Sequence, residues 1–253
     1  MMDIIHGFIR QAGQVLKLLT ACFIFWLALC SSSDAQSLSG IPGYVRIPIA
    51  TFNKDRTLYF GASFLPHRYL TYTHDQYDAI GIYAGLTFLS FVEIDLRVTR
   101  ILGLPSGSTH VVDRVPTVRF QILKEKKWIP STTIGIHDIV TSISSGEARH
   151  FGSSYLVLTK NFLIKKLYLN IGTTAGYGTP WFLWKNEEFI GFFGGIALNC
   201  TRLDWLTLMV DYDGVIPSAG LRIICFKHLV LMAGILNFTA ITGSINYKFN
   251  LRK

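Results

Sequence analysis

Ile241-Thr242-Gly243-Ser244-Ile245-Asn246-Tyr247-Lys248-Phe249-Asn250-Leu251 places an apolar or small residue at every odd position and a polar one at every even position. Side chains on a strand alternate between two faces, so this stretch reads as one strand with a greasy side and a polar side. The same parity runs through Leu167, Leu169, Ile171 and Ala175 against Tyr168, Asn170, Thr174 and Gly176. It returns in Leu206, Leu208, Val210 and Tyr212 against Thr207, Asp211 and Asp213.

Outward from these segments, the chain from about Thr57 onward repeats short alternating runs closed by turns, with no amphipathic helix between them. Twelve strands are predicted, at about 57–65, 79–88, 92–101, 114–123, 128–138, 153–160, 167–177, 189–200, 205–213, 219–226, 229–236 and 239–251. Their connections alternate in length. Long polar loops at 66–78, 102–113, 139–152 and 178–188 face short turns that carry Lys124, Lys126, Lys127, Lys165, Lys166, Arg202 and Lys227. Outer-membrane barrels have this arrangement, with long loops outside and short turns in the periplasm. The late connections at 214–218 and 237–238 are short for that rule, so a ten-stranded count also fits.

Composition agrees with a membrane setting: 50% of residues are hydrophobic, 13% aromatic and 16% charged, where a soluble domain has about 25% charged residues. Beyond the N-terminus no apolar run reaches the roughly 18 residues of a spanning helix, so any spanning is done by strands. The net charge of +8 comes from lysines gathered in turns rather than on one patch, which argues against a nucleic-acid partner. Repeated aromatics near strand ends suit interfacial girdles in outer-membrane lipid.

Arg10 and Lys17 precede an apolar stretch from Leu18 to Cys30, followed by Ser31-Ser32-Ser33-Asp34-Ala35. This is the pattern of a cleaved signal peptide over residues 1–35. A lipoprotein cut before Cys30 is the alternative, and it is disfavoured by the bulk of Leu29. The predicted organisation is a signal peptide, a periplasmic lead-in at 36–56 and a transmembrane antiparallel β-barrel at 57–253 in a bacterial outer membrane. Cys200 and Cys225 fall on next-nearest strands, so no disulfide is expected between them.

With the apolar face toward lipid, Glu93, Asp95, Arg97, Arg119, His137, Asp211, Asp213 and Arg222 point into the lumen. Carboxylates at 93 and 95 can then face Arg119, and those at 211 and 213 can face Arg222. Mutual satisfaction of these charges is the simpler reading, and a polar solute path is the functional one. No G-x-S-x-G, H-E-x-x-H, P-loop, paired C-x-x-C or G-x-G-x-x-G occurs, and no histidines stand at metal-ligand spacing. No enzyme activity, metal or cofactor is therefore expected. His137-Asp138 with Ser153 or Ser154 is the nearest approach to a hydrolytic set, but adjacent strand residues point to opposite faces. Trp181, Phe182 and Trp184 offer flat apolar rings suited to sugar stacking or to interface anchoring.

Gly43-Tyr44-Val45-Arg46-Ile47-Pro48, Asp113-Arg114 with Val118-Arg119-Phe120, Trp128-Ile129-Pro130, Gly135-Ile136-His137-Asp138 and Tyr155-Leu156-Val157-Leu158-Thr159-Lys160 occur in that order. Phe193-Gly194-Gly195, Asp211-Tyr212-Asp213-Gly214 and Gly220-Leu221-Arg222 follow. In order and spacing they resemble the YjbH-like outer-membrane proteins linked to exopolysaccharide biosynthesis. The resemblance implies a barrel with an accessory role in exopolysaccharide secretion or surface assembly, with the polymer and polysaccharide export proteins as partners. It brings no catalytic residues. A small-solute channel, a structural barrel without transport and an outer-membrane hydrolase are the other readings.

Overall fold

Thr242, Ser244, Asn246 and Lys248 are buried while Ile241, Ile245, Tyr247 and Leu251 are exposed in the computed structural model of the chain. The polar face of the last strand points inward and the apolar face outward, the reverse of a strand in a water-soluble sandwich. The structure describes residues 36–70, 77–104, 111–139, 152–180, 189–226 and 228–251. The signal segment 1–35 and the aromatics Trp181, Phe182 and Trp184 lie outside the described residues.

The strands are β1 (Thr57–Leu65), β2 (Ala79–Phe88), β3 (Val92–Ile101), β4 (Val111–Leu123), β5 (Ser131–His137) and β6 (Ser153–Ile164). They continue as β7 (Leu169–Pro180), β8 (Gly191–Cys200), β9 (Leu206–Tyr212), β10 (Pro217–Cys225), β11 (Leu229–Leu236) and β12 (Ala240–Asn250). Each pairs antiparallel with its sequence neighbour, and β1 pairs with β12 from Thr57↔Asn250 to Phe64↔Gly243, which closes a twelve-stranded barrel. Closure leaves no unpaired sheet edge along the wall. The late strands remain separate because tight turns suffice between them. Asn237 and Phe238, with φ of 46° and 55°, reverse the chain between β11 and β12 as primed hairpin turns do.

Strand ends differ from the sequence reading in a few places. β5 starts at Ser131 rather than 128, because Lys126 N donates to Ile129 O at 2.9 Å and holds Trp128 in the turn. β6 and β7 run on together as far as Ile164↔Leu169, past the point where β5 stops pairing at Ser131↔Thr159.

The strand ends that lead into the six long or outer connections (66–78, 102–110, 138–152, 181–190, 213–216 and 237–239) stand at one end of the barrel. Turns 89–91, 124–130, 165–168, 201–205 and 226–228 lie at the other, together with the start of β1 and the end of β12. These are called the long-loop and short-turn ends. The outer wall between them exposes Ile82, Ile94, Leu96, Leu156, Ile196 and Leu208, each at roughly half its full area or a little less. An apolar surface this continuous marks contact with lipid or another apolar partner. Neither Cys200 nor Cys225 is in a disulfide.

The main departure concerns residues 36–50. The sequence reading leaves them as a lead-in below the barrel, but they are folded inside it. Gln36 bridges to Pro42 and Gly43 to Pro48, and Ser37 N→Ile41 O (2.8 Å), Leu38 N→Val45 O (2.9 Å) and Tyr44 N→Ile47 O (3.0 Å) fold the segment onto itself. Leu38, Ile41, Val45, Ile47 and Ile49 pack against Tyr155, Val157, Phe193, Met209, Met232 and Leu236 of the wall. The physical reason is volume. Side chains fill an eight-stranded barrel, whereas twelve strands enclose more space than side chains reach across. Glycines in the wall make room for this plug. A Cβ on Gly220 would stand 2.8 Å from Val45 Cγ2, and one on Gly234 would stand 3.2 Å from Val45 Cγ1.

Candidate functional site

All eight lumen residues picked by strand parity are buried, and they gather in separate groups around the plug. On β3 and β4, Arg119 lies opposite Glu93 in register and donates from Nη1 to Glu93 Oε1 at 2.6 Å, with both side chains fully buried. Thr87 donates to the other Glu93 oxygen at 3.0 Å. Arg119 also donates from Nη2 to the carbonyl of Ile49 in the plug, and its guanidinium sits 5.0 Å from the Phe52 ring centroid. One buried cation thus joins a wall carboxylate to the plug backbone, and hydrogen-bonded pairing is what makes a buried charge tolerable. Asp95 takes its hydrogen bond from the Tyr59 hydroxyl on β1. Arg97 is buried on β3 beside this group.

Across the lumen, Asp211 on β9 accepts from the backbone N–H groups of Arg46 (2.8 Å) and Ile47 (3.3 Å). Arg46 Nε lies 2.9 Å from Asp213 Oδ2, just past the end of β9. Arg222 on β10 donates to the carbonyl of Gly43. This corrects the expected facing of Asp211 and Asp213 with Arg222. Asp211 stands opposite Ser218 and Arg222 opposite Thr207, so the register separates them along the strands and each turns to the plug.

Ala50, where the chain leaves the plug, is held by three strands. Its carbonyl accepts from Gln121 (3.1 Å), Ser131 (2.8 Å) and Thr133 (2.9 Å), and its N–H donates to Thr159 at 2.7 Å. Toward the short-turn end the path 51–55 divides the remaining space. One cleft of about 270 Å³ lies between Tyr44, Ile49 and Thr51 and the wall from β6 to β10. A wider opening of about 840 Å³ lies on the other side, by Phe52, Asn53 and Lys124.

His137, Asp138 and Ser153 lie together where β5 and β6 meet the long-loop end. His137 is buried and shares a 2.7 Å hydrogen bond with Thr117 through Nδ1, and its ring meets Phe189 edge-on at 5.1 Å. Ser153 lies opposite it in register but is fully buried, and Ser154 pairs with Ile136. Asp138, with φ of 55°, ends the strand alternation and is itself buried rather than turned to the opposite face as the sequence reading has it. Sequence reasoning missed Arg46, Ala50 and Thr159 as parts of the lumen. The available signal was the apolar content of 36–50, where Arg46 is the one charged residue.

A closed antiparallel barrel with an apolar exterior, a charged and hydroxyl-rich interior and its own N-terminal segment as a plug defines the class of this protein. The family model YjbH, exopolysaccharide biosynthesis protein YbjH, matches residues 35–215, well over half of the chain. The chain belongs to that family, which ties it to exopolysaccharide biosynthesis. The matched span contains the whole plug together with Arg119, Asp211 and Asp213, the wall groups that grip it. No curated protein matches the sequence.

Proposed function

We propose that this chain is an outer-membrane barrel with an accessory, non-enzymatic role in exopolysaccharide secretion or surface assembly, binding or guiding polymer beside a separate export channel. The observation that carries this reading is the plug. A hydrated polysaccharide is bulky, and the space a twelve-stranded wall encloses is occupied by residues 36–50, so the polymer path is not through this lumen. The apolar exterior supports lipid as the surrounding medium, with the long loops outward and the lysine-bearing short turns in the periplasm. The same plug argues against a small-solute channel.

Deleting the gene under conditions where the polymer is made tests the role. Secreted or surface polymer is expected to fall while uptake of a small hydrophilic probe across the outer membrane stays unchanged. Unchanged polymer would leave a structural barrel as the better account, and reduced probe uptake would favour the channel.

A further inference from the structure

The 270 Å³ cleft between the plug and the β6–β10 wall has a lining that suits a particular ligand chemistry. We infer that it is a binding site for one sugar ring of a neutral glycan, an assignment that rests on the exopolysaccharide reading above. Thr51, Thr159, Asn161, Asn170, Asn199 and Thr207 contribute amides and hydroxyls. The Thr159 hydroxyl is already bonded to Ala50 N and Thr174, the Asn161 amide nitrogen to Glu125 and the Asn199 amide nitrogen to Leu206 O. That leaves the Asn170 amide and the amide oxygens of Asn161 and Asn199 to meet a polyhydroxylated ring with no net charge. The charged lining is balanced, Asp204 against Arg222, and Arg222 already gives a hydrogen bond to Gly43 O. A site for an acidic sugar would present cations in excess.

One further observation bears on an occupant. Thr51 Oγ1 is shielded from solvent with no hydrogen-bond partner among the described residues. Buried hydroxyls are normally paired, and turning about χ1 would carry this one toward a polar group seated in the cleft. Gly172 lets the lining draw together, since a Cβ there would come within 2.9 Å of the Tyr44 hydroxyl and 3.1 Å of Asn161 Oδ1. The volume lies near the lower limit of about 300 Å³ for ligand pockets, which suits one ring with its neighbours in the chain leaving through the mouth. The mouth opens at the short-turn end, since Asp204 belongs to the β8–β9 turn and Asn199 and Thr207 flank it.

The test uses the purified full-length barrel in detergent micelles. The probes are oligosaccharides released by partial acid hydrolysis from the producing strain's own polymer, separated into neutral and acidic fractions. Saturation-transfer NMR is expected to show saturable binding of the neutral fraction. Gly172→Leu, which fills the cleft, and Asn170→Leu, which removes an amide at nearly constant volume, should each weaken it at least tenfold. Heat-modifiable migration on gels checks that both variants still form the barrel, and Thr51→Val gives a third, conservative variant on the plug. Absence of saturable binding, preference for the acidic fraction, or equal binding by wild type and all folded variants would each overturn the assignment. The outcome is separate from that of the gene deletion. Lost polymer without cleft binding keeps the accessory role and removes this site, and cleft binding with unchanged polymer does the reverse.

Discussion

Arg46 Nε lies 2.9 Å from Asp213 Oδ2, so the single charged residue of the plug is paired with a carboxylate at the far end of β9. Asp213 is 3% exposed at its side chain and Arg46 16%, which makes the pair largely desolvated. Removing one partner of such a pair typically costs about 3–5 kcal/mol, because a buried charge is left unmatched. Arg46→Leu is expected to destabilise the barrel at the lower end of that range, given the partial exposure of the guanidinium. Urea unfolding in lipid vesicles, followed by tryptophan fluorescence, measures the change. The double variant Arg46→Leu with Asp213→Leu should recover part of the loss. An unchanged midpoint for Arg46→Leu alone would show that the pair does not hold the plug.

The outer wall gives a second prediction. Leu208 sits mid-strand on β9, 53% exposed, with Leu198 and Leu221 opposite it on either side. If lipid covers this face, Leu208→Arg costs about 2–4 kcal/mol, and the same change near a rim costs about 0–1 kcal/mol. Phe162, 50% exposed where β6 runs beyond β5, supplies the rim position. Equal costs at 208 and 162 would argue for water or a protein partner over this surface instead of a bilayer.

Parity is what made the wall legible. A side-chain period of two fixes inward and outward residues by counting, so Ile241 to Leu251 was enough to place Thr242, Asn246 and Lys248 inside, and the same count placed Glu93, Arg119 and Asp211. Neighbouring strands also brought Glu93 opposite Arg119, since β3 and β4 follow one another in the chain and pair antiparallel. Counting says nothing about contacts across the lumen, which explains why Arg46 with Asp213 and Ala50 with Thr133 were not foreseen. Nor does it reach the plug, whose folds are bridges and turns without a period. The strand-to-strand offset that parts Asp211 from Arg222 depends on the β9–β10 turn, where Asp213 Oδ1 accepts from Val215 N (2.9 Å) and Ile216 N (2.7 Å).

The proposed orientation in an outer membrane is open to direct labelling. Arg68, exposed at the long-loop end, and Lys126, exposed in the β4–β5 turn, are each replaced by Cys in a background lacking Cys200 and Cys225. An impermeant thiol reagent applied to intact cells is expected to label position 68 and to reach 126 only after the outer membrane is breached. The opposite pattern would invert the assignment of the two ends.

A pH dependence resides at Glu125 in the β4–β5 turn. Partial burial works against its ionisation, but hydrogen bonds from the backbone and side chain of Asn161 and the nearby Lys160 ammonium outweigh that and hold the carboxyl below its ordinary value of 4.5. A lowered folded value means that ionised Glu125 stabilises the extension of β6 above its unfolded range, and that this is lost as pH falls through the folded value. Hydrogen exchange at the Asn161 amide, which donates to Glu125 Oε1 at 2.9 Å, reports it. Protection should stay flat from neutral pH down to about the ordinary value and decline below it, whereas Glu125→Gln should show lower protection with no such step. A step above pH 4.5 would contradict the sign.

The plug itself gives the most direct prediction about passage through the barrel. Residues 36–50 carry the apolar groups that fill the centre, and their carbonyls occupy Arg119, Arg222, Ser131 and Thr133. Without them those wall groups lose these acceptors and face a cavity large enough for water, since twelve strands enclose more than side chains alone can fill. In planar bilayers the intact chain is expected to stay silent or nearly so, and the variant lacking 36–50 to show a steady conductance. Arg46→Leu should lie between them, with brief openings, because it weakens one anchor and leaves the Ala50 attachment in place. Migration on heat-modifiable gels separates a conducting barrel from one that fails to assemble. Should the variant lacking the plug assemble and remain silent, the wall would have to close on its own. Should the intact chain conduct steadily, the lumen would be open beside the plug, and the case for a separate polymer path would fall with it.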